Sequence, residues 1–129
     1  MAERTTPRPT DSELGILRVL WQRGPSTVRD VYDDLNQRSA TGYTTVLKLL
    51  QIMTEKGLVT RDESERAHVY SARHSEQKTQ RQLLTDLVDR AFGGSSAKLV
   101  MQALAGKKTS ADELNAIREM LDRIEEEAK

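Results

Sequence analysis

The chain has 129 residues, 20 of them basic and 20 acidic, so it lacks the basic excess of an indiscriminate nucleic-acid coat. The absence of cysteine excludes a disulfide framework, a thiolate nucleophile and a Cys-ligated metal site. With 36% hydrophobic residues and only one Trp, three Tyr and one Phe, a large private core is not expected, and sharing apolar surface with a second copy is.

Residues 1–9 are polar and carry Pro7 and Pro9, which reads as a flexible N-terminal arm. They hold no apolar h-region, and no stretch of the chain approaches the ~18 apolar residues of a membrane span. A soluble, cytoplasmic protein without direct membrane insertion is the expectation.

Thr10-Asp-Ser-Glu13 has the S/T-x-x-E pattern of a capping box. Leu14, Leu17, Val19, Leu20 and Trp21 follow with helical apolar spacing, and Gly24-Pro25 ends this first helix. Ser26 or Thr27 caps a second helix with the stripe Val28, Val31, Tyr32 and Leu35. After the polar link from Asn36 to Thr41, a third helix of roughly residues 42–56 carries Val46, Leu49, Leu50 and Met53 at i, i+3, i+4, i+7 spacing. Gly57 stands where a left-handed residue closes a helix. Leu58–Arg61 and Ala67–Tyr70, two β-prone segments around the polar run Asp62–Arg66, read as a β-hairpin. A helix-turn-helix followed directly by a hairpin is the order of a winged helix.

Residues 75–129 change character. Ser75 caps a helix with Leu83, Leu84, Leu87, Val88, Ala91 and Phe92 that stops at Gly93-Gly94. Ser95 or Ser96 opens a short helix with Leu99, Val100, Ala103 and Leu104. Ser110-Ala-Asp-Glu113 is a second capping box, opening a last helix with Leu114, Ile117, Met120, Leu121 and Ile124. Narrow apolar stripes of this kind need a partner surface. Packing on the same chain's winged helix would provide one; a dimerisation arm fits their distance from the N-terminal elements better. The expected fold is mainly α with a small β-hairpin wing. It comprises an N-terminal winged helix-turn-helix over residues 10–74 and a C-terminal three-helix dimerisation region over residues 75–129.

In the third helix Thr44, Thr45 and Lys48 fall opposite Val46, Leu50 and Met53, and Gln51 continues that outward face. Small hydroxyls at the start of a recognition helix reach phosphates and thymine methyls, and a Gln reads base edges or phosphates. Tyr43 suits either a phosphate contact through its hydroxyl or a half-buried place at the helix start. On the wing Arg61, Arg66 and His68 are candidates to bring charge to the DNA backbone, Arg66 at the loop end foremost; pairing with Asp62, Glu63 and Glu65 is the competing use. His68 and His74 lack partners at metal-ligand spacing, no hydroxyl sits in a nucleophile–base motif, and no Gly-rich loop joins a strand to a helix. No metal, cofactor or catalytic residue is expected.

Several landmarks in order resemble the penicillinase-repressor family (BlaI/MecI, with the copper-responsive CopY branch). They are Leu14, Leu20-Trp21, Gly24-Pro25-Ser-Thr-Val28-Arg29, Tyr43-Thr-Thr-Val-Leu47, Glu55-Lys-Gly-Leu-Val59 and Arg66-Ala-His-Val-Tyr70 in the first half. Phe92-Gly-Gly94, Leu99-Val100 and Ser110-Ala-Asp-Glu-Leu114 follow in the second, so the resemblance runs from about Thr10 to Ile124. It implies a homodimer that binds palindromic double-stranded operator DNA and represses an operon, often of resistance genes. In antibiotic-responsive members it also implies a membrane sensor with a zinc-protease domain, whose signal leads to repressor cleavage in the C-terminal region. Met101, Gln102 and Ala103 mark the corresponding region here, with Gln102-Ala103 in place of the family's Asn-Phe pair. Copper release through thiolates is excluded, and Ile52 stands where an arginine is common. Outside this class, the competing reading is a winged-helix protein–protein interaction module without DNA binding.

Overall fold

The Thr10 capping box is closed on both sides: Glu13 N–H donates to Thr10 Oγ1 at 3.2 Å, and Thr10 N–H donates to Glu13 Oε1 at 2.9 Å. It starts helix α1, Asp11–Arg23, in a computed structural model that describes residues 8–106 and 108–129. The flexible arm expected over residues 1–9 lies mostly outside the described residues. The other helices are α2 (Val28–Asn36), α3 (Tyr43–Lys56), α4 (Glu76–Ala91), α5 (Ser96–Ala105) and α6 (Ala111–Ala128). Strands β1 (Ser26–Thr27), β2 (Val59–Asp62) and β3 (Val69–Ala72) form one antiparallel sheet in the order β1-β3-β2.

The hairpin anticipated from the sequence is thus a three-stranded sheet with β3 in its middle. Tyr70 pairs with Ser26 on one side and with Arg61 on the other, and its side chain is fully buried. Two residues after Gly24-Pro25 suffice for β1, too short a stretch to show a period of two. Thr27 is both strand residue and cap: its Oγ1 accepts from Asp30 N–H at 3.1 Å, and its N–H donates to Asp30 Oδ2 at 3.1 Å. Of the two caps the sequence allowed for α2, Thr27 is used. Ser26 is buried instead, donating to the Gly24 carbonyl at 2.9 Å.

The core joins α1, α2, α3, β2 and β3: Ile16, Leu17, Val19 and Leu20 from α1, Val28 and Val31 from α2, Val46, Leu50 and Met53 from α3, then Leu58, Val59 and Tyr70. In α1 the buried residues are Glu13, Ile16, Leu17, Val19 and Leu20: the expected Leu17, Val19 and Leu20 are among them, Leu14 and Trp21 are only half-buried, and Glu13 holds a core position at 2% exposure. Lys56, in the last turn of α3, donates to Glu13 Oε1 at 2.8 Å and makes that burial tolerable. At Gly57 the backbone turns left-handed (φ 83°), and Leu58 N–H returns to the Met53 carbonyl at 2.9 Å. The Trp21 indole N–H donates to the His74 carbonyl at 3.0 Å, fixing the chain that leads into α4.

Burial pushes the Glu13 carboxyl up, but the Lys56 ammonium, the Thr10 N–H and the Thr10 hydroxyl together hold it below its ordinary value of 4.5. A carboxyl depressed on folding contributes stability above its unfolded pKa, and that contribution disappears as pH falls through the folded value. Glu13→Gln is therefore expected to lower stability at pH 7 and to flatten its decline below about pH 4.5. Urea unfolding followed between pH 3 and 7 checks this; parallel curves for parent and variant would remove the pair from the acid response.

The chain divides into two compact units, with the joint inside α4, between Leu83 and Leu84. In the second unit Ser95, not Ser96, caps α5 by accepting from Lys98 N–H at 3.1 Å. Gly93 and Gly94 have φ of 58° and 82°, which allows the reversal between α4 and α5. Ser110 closes a capping box with Glu113 at the start of α6. Neither α5 nor α6 buries a single residue among those described.

Candidate nucleic-acid interface

Helix α3 is positioned from its inner side: Val46, Leu50 and Met53 are fully buried, which fixes the rotation of the helix about its axis. At 100° per residue the opposite side then presents Thr44, Lys48 and Gln51, flanked by Thr45; all four are exposed. Tyr43 is exposed as well, and its ring meets Tyr32 edge-on with centroids 5.6 Å apart. The Arg29 guanidinium sits 5.9 Å from the Tyr32 ring centroid and 3.5 Å from Asp33. This Arg29–Tyr32–Tyr43 contact was not legible in the sequence, where Tyr32 reads only as an apolar position of α2. In the structure Tyr32 packs on the core with one part and supports Tyr43 with another.

The N-terminus of α3 differs from the rest. Each other helix is closed by a hydroxyl side chain: Thr10, Thr27, Ser75, Ser95 or Ser110. Helix α3 begins at Gly42 with no side-chain cap and no acidic residue in its first turn. The N–H groups of Tyr43, Thr44 and Thr45 precede the first intrahelical bond, Val46 N–H to the Gly42 carbonyl at 3.1 Å. Such a terminus offers donors and the positive end of the helix dipole to an anion. Just before it, Ser39 and Thr41 share a hydroxyl contact of 3.1 Å.

On the wing the candidates separate. Arg61 is committed locally: its Nε and Nη2 bond Glu63 at 2.7 and 2.6 Å, and hydrogen bonding to Tyr70 first and Glu63 second raises its pKa further. The Asp62 carboxylate accepts from Ser64 N–H at 2.9 Å, which lowers its pKa and shapes the turn. Arg66 is exposed at the tip and makes no ion pair among the described residues. His68 is exposed and lies outside β3, so it does not share a strand face with buried Tyr70.

No cluster of three His, Asp or Glu able to hold a metal occurs among the described residues, and no described helix is long and apolar enough to cross a membrane. His74 lines a shallow cavity of about 290 Å³ with Leu20, Trp21 and Pro25; burial, Lys78 and Arg73 lower its pKa.

In the second unit Leu84, Leu87, Val100, Met120, Leu121 and Ile124 are large apolar residues left exposed, Leu121 at 55%. Phe92, Leu99, Leu114 and Ile117 are half-buried, whereas Val88 is already buried within the single chain. Met101, Gln102 and Ala103 all lie in α5 and are exposed, Met101 at 71%. Cleavage there requires the helix to unwind locally, because its backbone carbonyls and N–H groups are engaged within the helix.

The family model described as penicillinase repressor matches residues 9–123. Over 116 residues the chain is 32% identical to the transcriptional regulator BlaI of Mycobacterium tuberculosis, covering 89% of this chain and 83% of that one. To the penicillinase repressor of Bacillus licheniformis it is 22% identical over 116 residues, 90% of this chain and 91% of that one. Among solved structures, the DNA-binding domain of the repressor BlaI matches with a TM-score of 0.51 at 23% identity, over 57% of this chain and 90% of that one. Bacillus licheniformis BlaI, solved in monomeric form in complex with the blaP half-operator, gives 0.50 at 23% identity over 57% and 89%. These two matches share the winged-helix fold of α1–α3 and the sheet. The chain belongs to the penicillinase repressor family, a family of transcriptional repressors and not of enzymes.

Proposed function

We propose that the chain is a homodimeric repressor that occupies a palindromic operator in double-stranded DNA and so blocks transcription. The observation that carries this reading is the open N-terminus of α3, three free N–H groups set beside an exposed face of Thr44, Thr45, Lys48 and Gln51. Inserted in the major groove, that face reads base edges, while the N–H groups, Tyr43 and Lys48 hold phosphates and set the register. Arg66 at the wing tip reaches the backbone beside the groove. The DNA-binding part is taken as residues 10–74 and the dimerisation part as residues 75–129, which opens with α4.

Dimerisation is supported by the second unit's poverty of buried surface: helices that bury so little alone are stabilised when their apolar stripes meet a partner. Two copies of α3 then enter successive major grooves about 34–36 Å apart. The relatives' names point to control of a resistance operon of the penicillinase type. Release follows from weakening the dimer, by proteolysis in the region of Met101, Gln102 and Ala103 through a membrane sensor-protease or a downstream protease, or by another signal.

A duplex selected from random-sequence DNA with the full chain provides the operator for testing. Thr44→Ala and Lys48→Ala are expected to weaken binding to it and leave the dimer intact. Because Lys48 neutralises a phosphate, its loss should also reduce the slope of log affinity against log salt by about one unit. An unchanged slope would take Lys48 off the phosphate backbone; full affinity in both variants would place the DNA surface elsewhere.

A further inference from the structure

Along the outward face of α3 one residue does not match its neighbours. Ile52 is 37% exposed and belongs to no part of the buried core, yet it stands beside Lys48, Gln51 and Glu55, all exposed. It lies one turn beyond Lys48 and two turns beyond Thr45, on the same side of the helix. A branched aliphatic group can neither bond a phosphate nor meet a base-edge donor or acceptor. The floor of the major groove holds one apolar group for it, the 5-methyl of thymine.

We propose that Ile52 is a specificity-determining residue that selects a thymine by packing on its 5-methyl group; this rests on the operator-binding reading above. The rotation of α3 fixed by Val46, Leu50 and Met53 keeps Ile52 on the side that carries Thr45 and Lys48. Where the base pair beneath Ile52 presents only polar groups, those groups lose water without gaining a partner, and binding weakens. The Thr45 methyl is a second apolar group on the same row, about 10.5 Å away along the helix axis. The Ile52 thymine is therefore expected at a different base pair from any thymine that Thr45 touches.

The test replaces each thymine of one operator half-site, in turn, by deoxyuridine, which keeps Watson–Crick pairing and removes only the methyl. The full-length parent, Ile52→Ala and Thr45→Ser are titrated on the duplex selected with the parent and on each substituted duplex. For the parent, deoxyuridine at one position is expected to weaken binding about fourfold, the worth of one buried methyl group. At that position Ile52→Ala should bind thymine and deoxyuridine duplexes alike, while Thr45→Ser keeps the discrimination. Equal thymine-to-deoxyuridine ratios for the parent and Ile52→Ala at every position would overturn the assignment and leave operator binding standing. No sequence-selective binding by the parent on any duplex would overturn both. Ile52 is outside the core, so Ile52→Ala is expected to fold; an unchanged melting curve verifies it.

Discussion

Leu121→Asp is expected to turn the dimer into a monomer and to lower operator affinity by two to four orders of magnitude, with the DNA-binding unit still folded. Leu121 is half exposed in the isolated chain, so a carboxylate there remains hydrated in the monomer. In a dimer that covers the α6 stripe of Leu114, Ile117, Leu121 and Ile124, the same carboxylate would be desolvated without a partner. The loss on DNA is much larger than that of a single contact, because dimerisation makes the second half-site an intramolecular encounter. Avidity of that kind is worth about 10²–10⁴. Sedimentation would give the oligomeric state. Fluorescence of Trp21, the chain's only Trp, which bonds the His74 carbonyl, would report on the first unit. A monomeric variant with unchanged affinity would disconnect the second unit from repression.

Leu50→Ala is the counterpart in the first unit. Leu50 is fully buried between Val46 and Met53 on the inner side of α3. Removing three carbons there costs about 2–5 kcal/mol, depending on how far the cavity closes. For a unit of this size a loss of about 3 kcal/mol lowers the melting temperature by roughly 12–24 °C. Urea unfolding followed by Trp21 fluorescence measures it. A change below about 1 kcal/mol would mean that α3 is not held by this face, and the outward orientation of Lys48, Gln51 and Ile52 would lose its basis. Taken together, the two substitutions separate the surfaces: Leu50→Ala acts through folding, Leu121→Asp through assembly.

Helices and caps were the most legible part of the sequence because their signals are local. Thr10 with Glu13 and Ser110 with Glu113 are capping boxes four residues long, and both close as read. The left-handed Gly57 and the break at Gly93-Gly94 are likewise local. The exposed side of α3 was legible for a related reason: Val46, Leu50 and Met53 are strongly apolar, and their periodicity fixes what lies opposite.

What escaped depends on pairs distant in sequence. Glu13 and Lys56 are 43 positions apart, and nothing local marks a glutamate as a core residue. Its capping role explains its presence completely at the level of sequence, which hides the second role. Reading α1 from Leu14 found Leu17, Val19 and Leu20 but passed over Glu13 and Ile16. Strand β1 was missed because two residues carry no alternation, and its existence is settled by β3 offering a free edge. At the wing the sequence put Arg66 ahead of Arg61 for its place at the loop end; the local engagement of Arg61, set by its register opposite Tyr70 and its pairing with Glu63, was not legible there.

In the proposed repressor two chains read one palindrome through paired copies of α3. The direct measurement is a stoichiometric titration of the full-length chain on the selected duplex and on a scrambled duplex of equal length and composition, at two salt concentrations. Saturation at two chains per duplex, with affinity for the selected sequence at least about 10³ above that for the scrambled one, is the expected result. Equal affinity for both duplexes from a folded dimer would contradict it and favour a winged helix that binds protein instead.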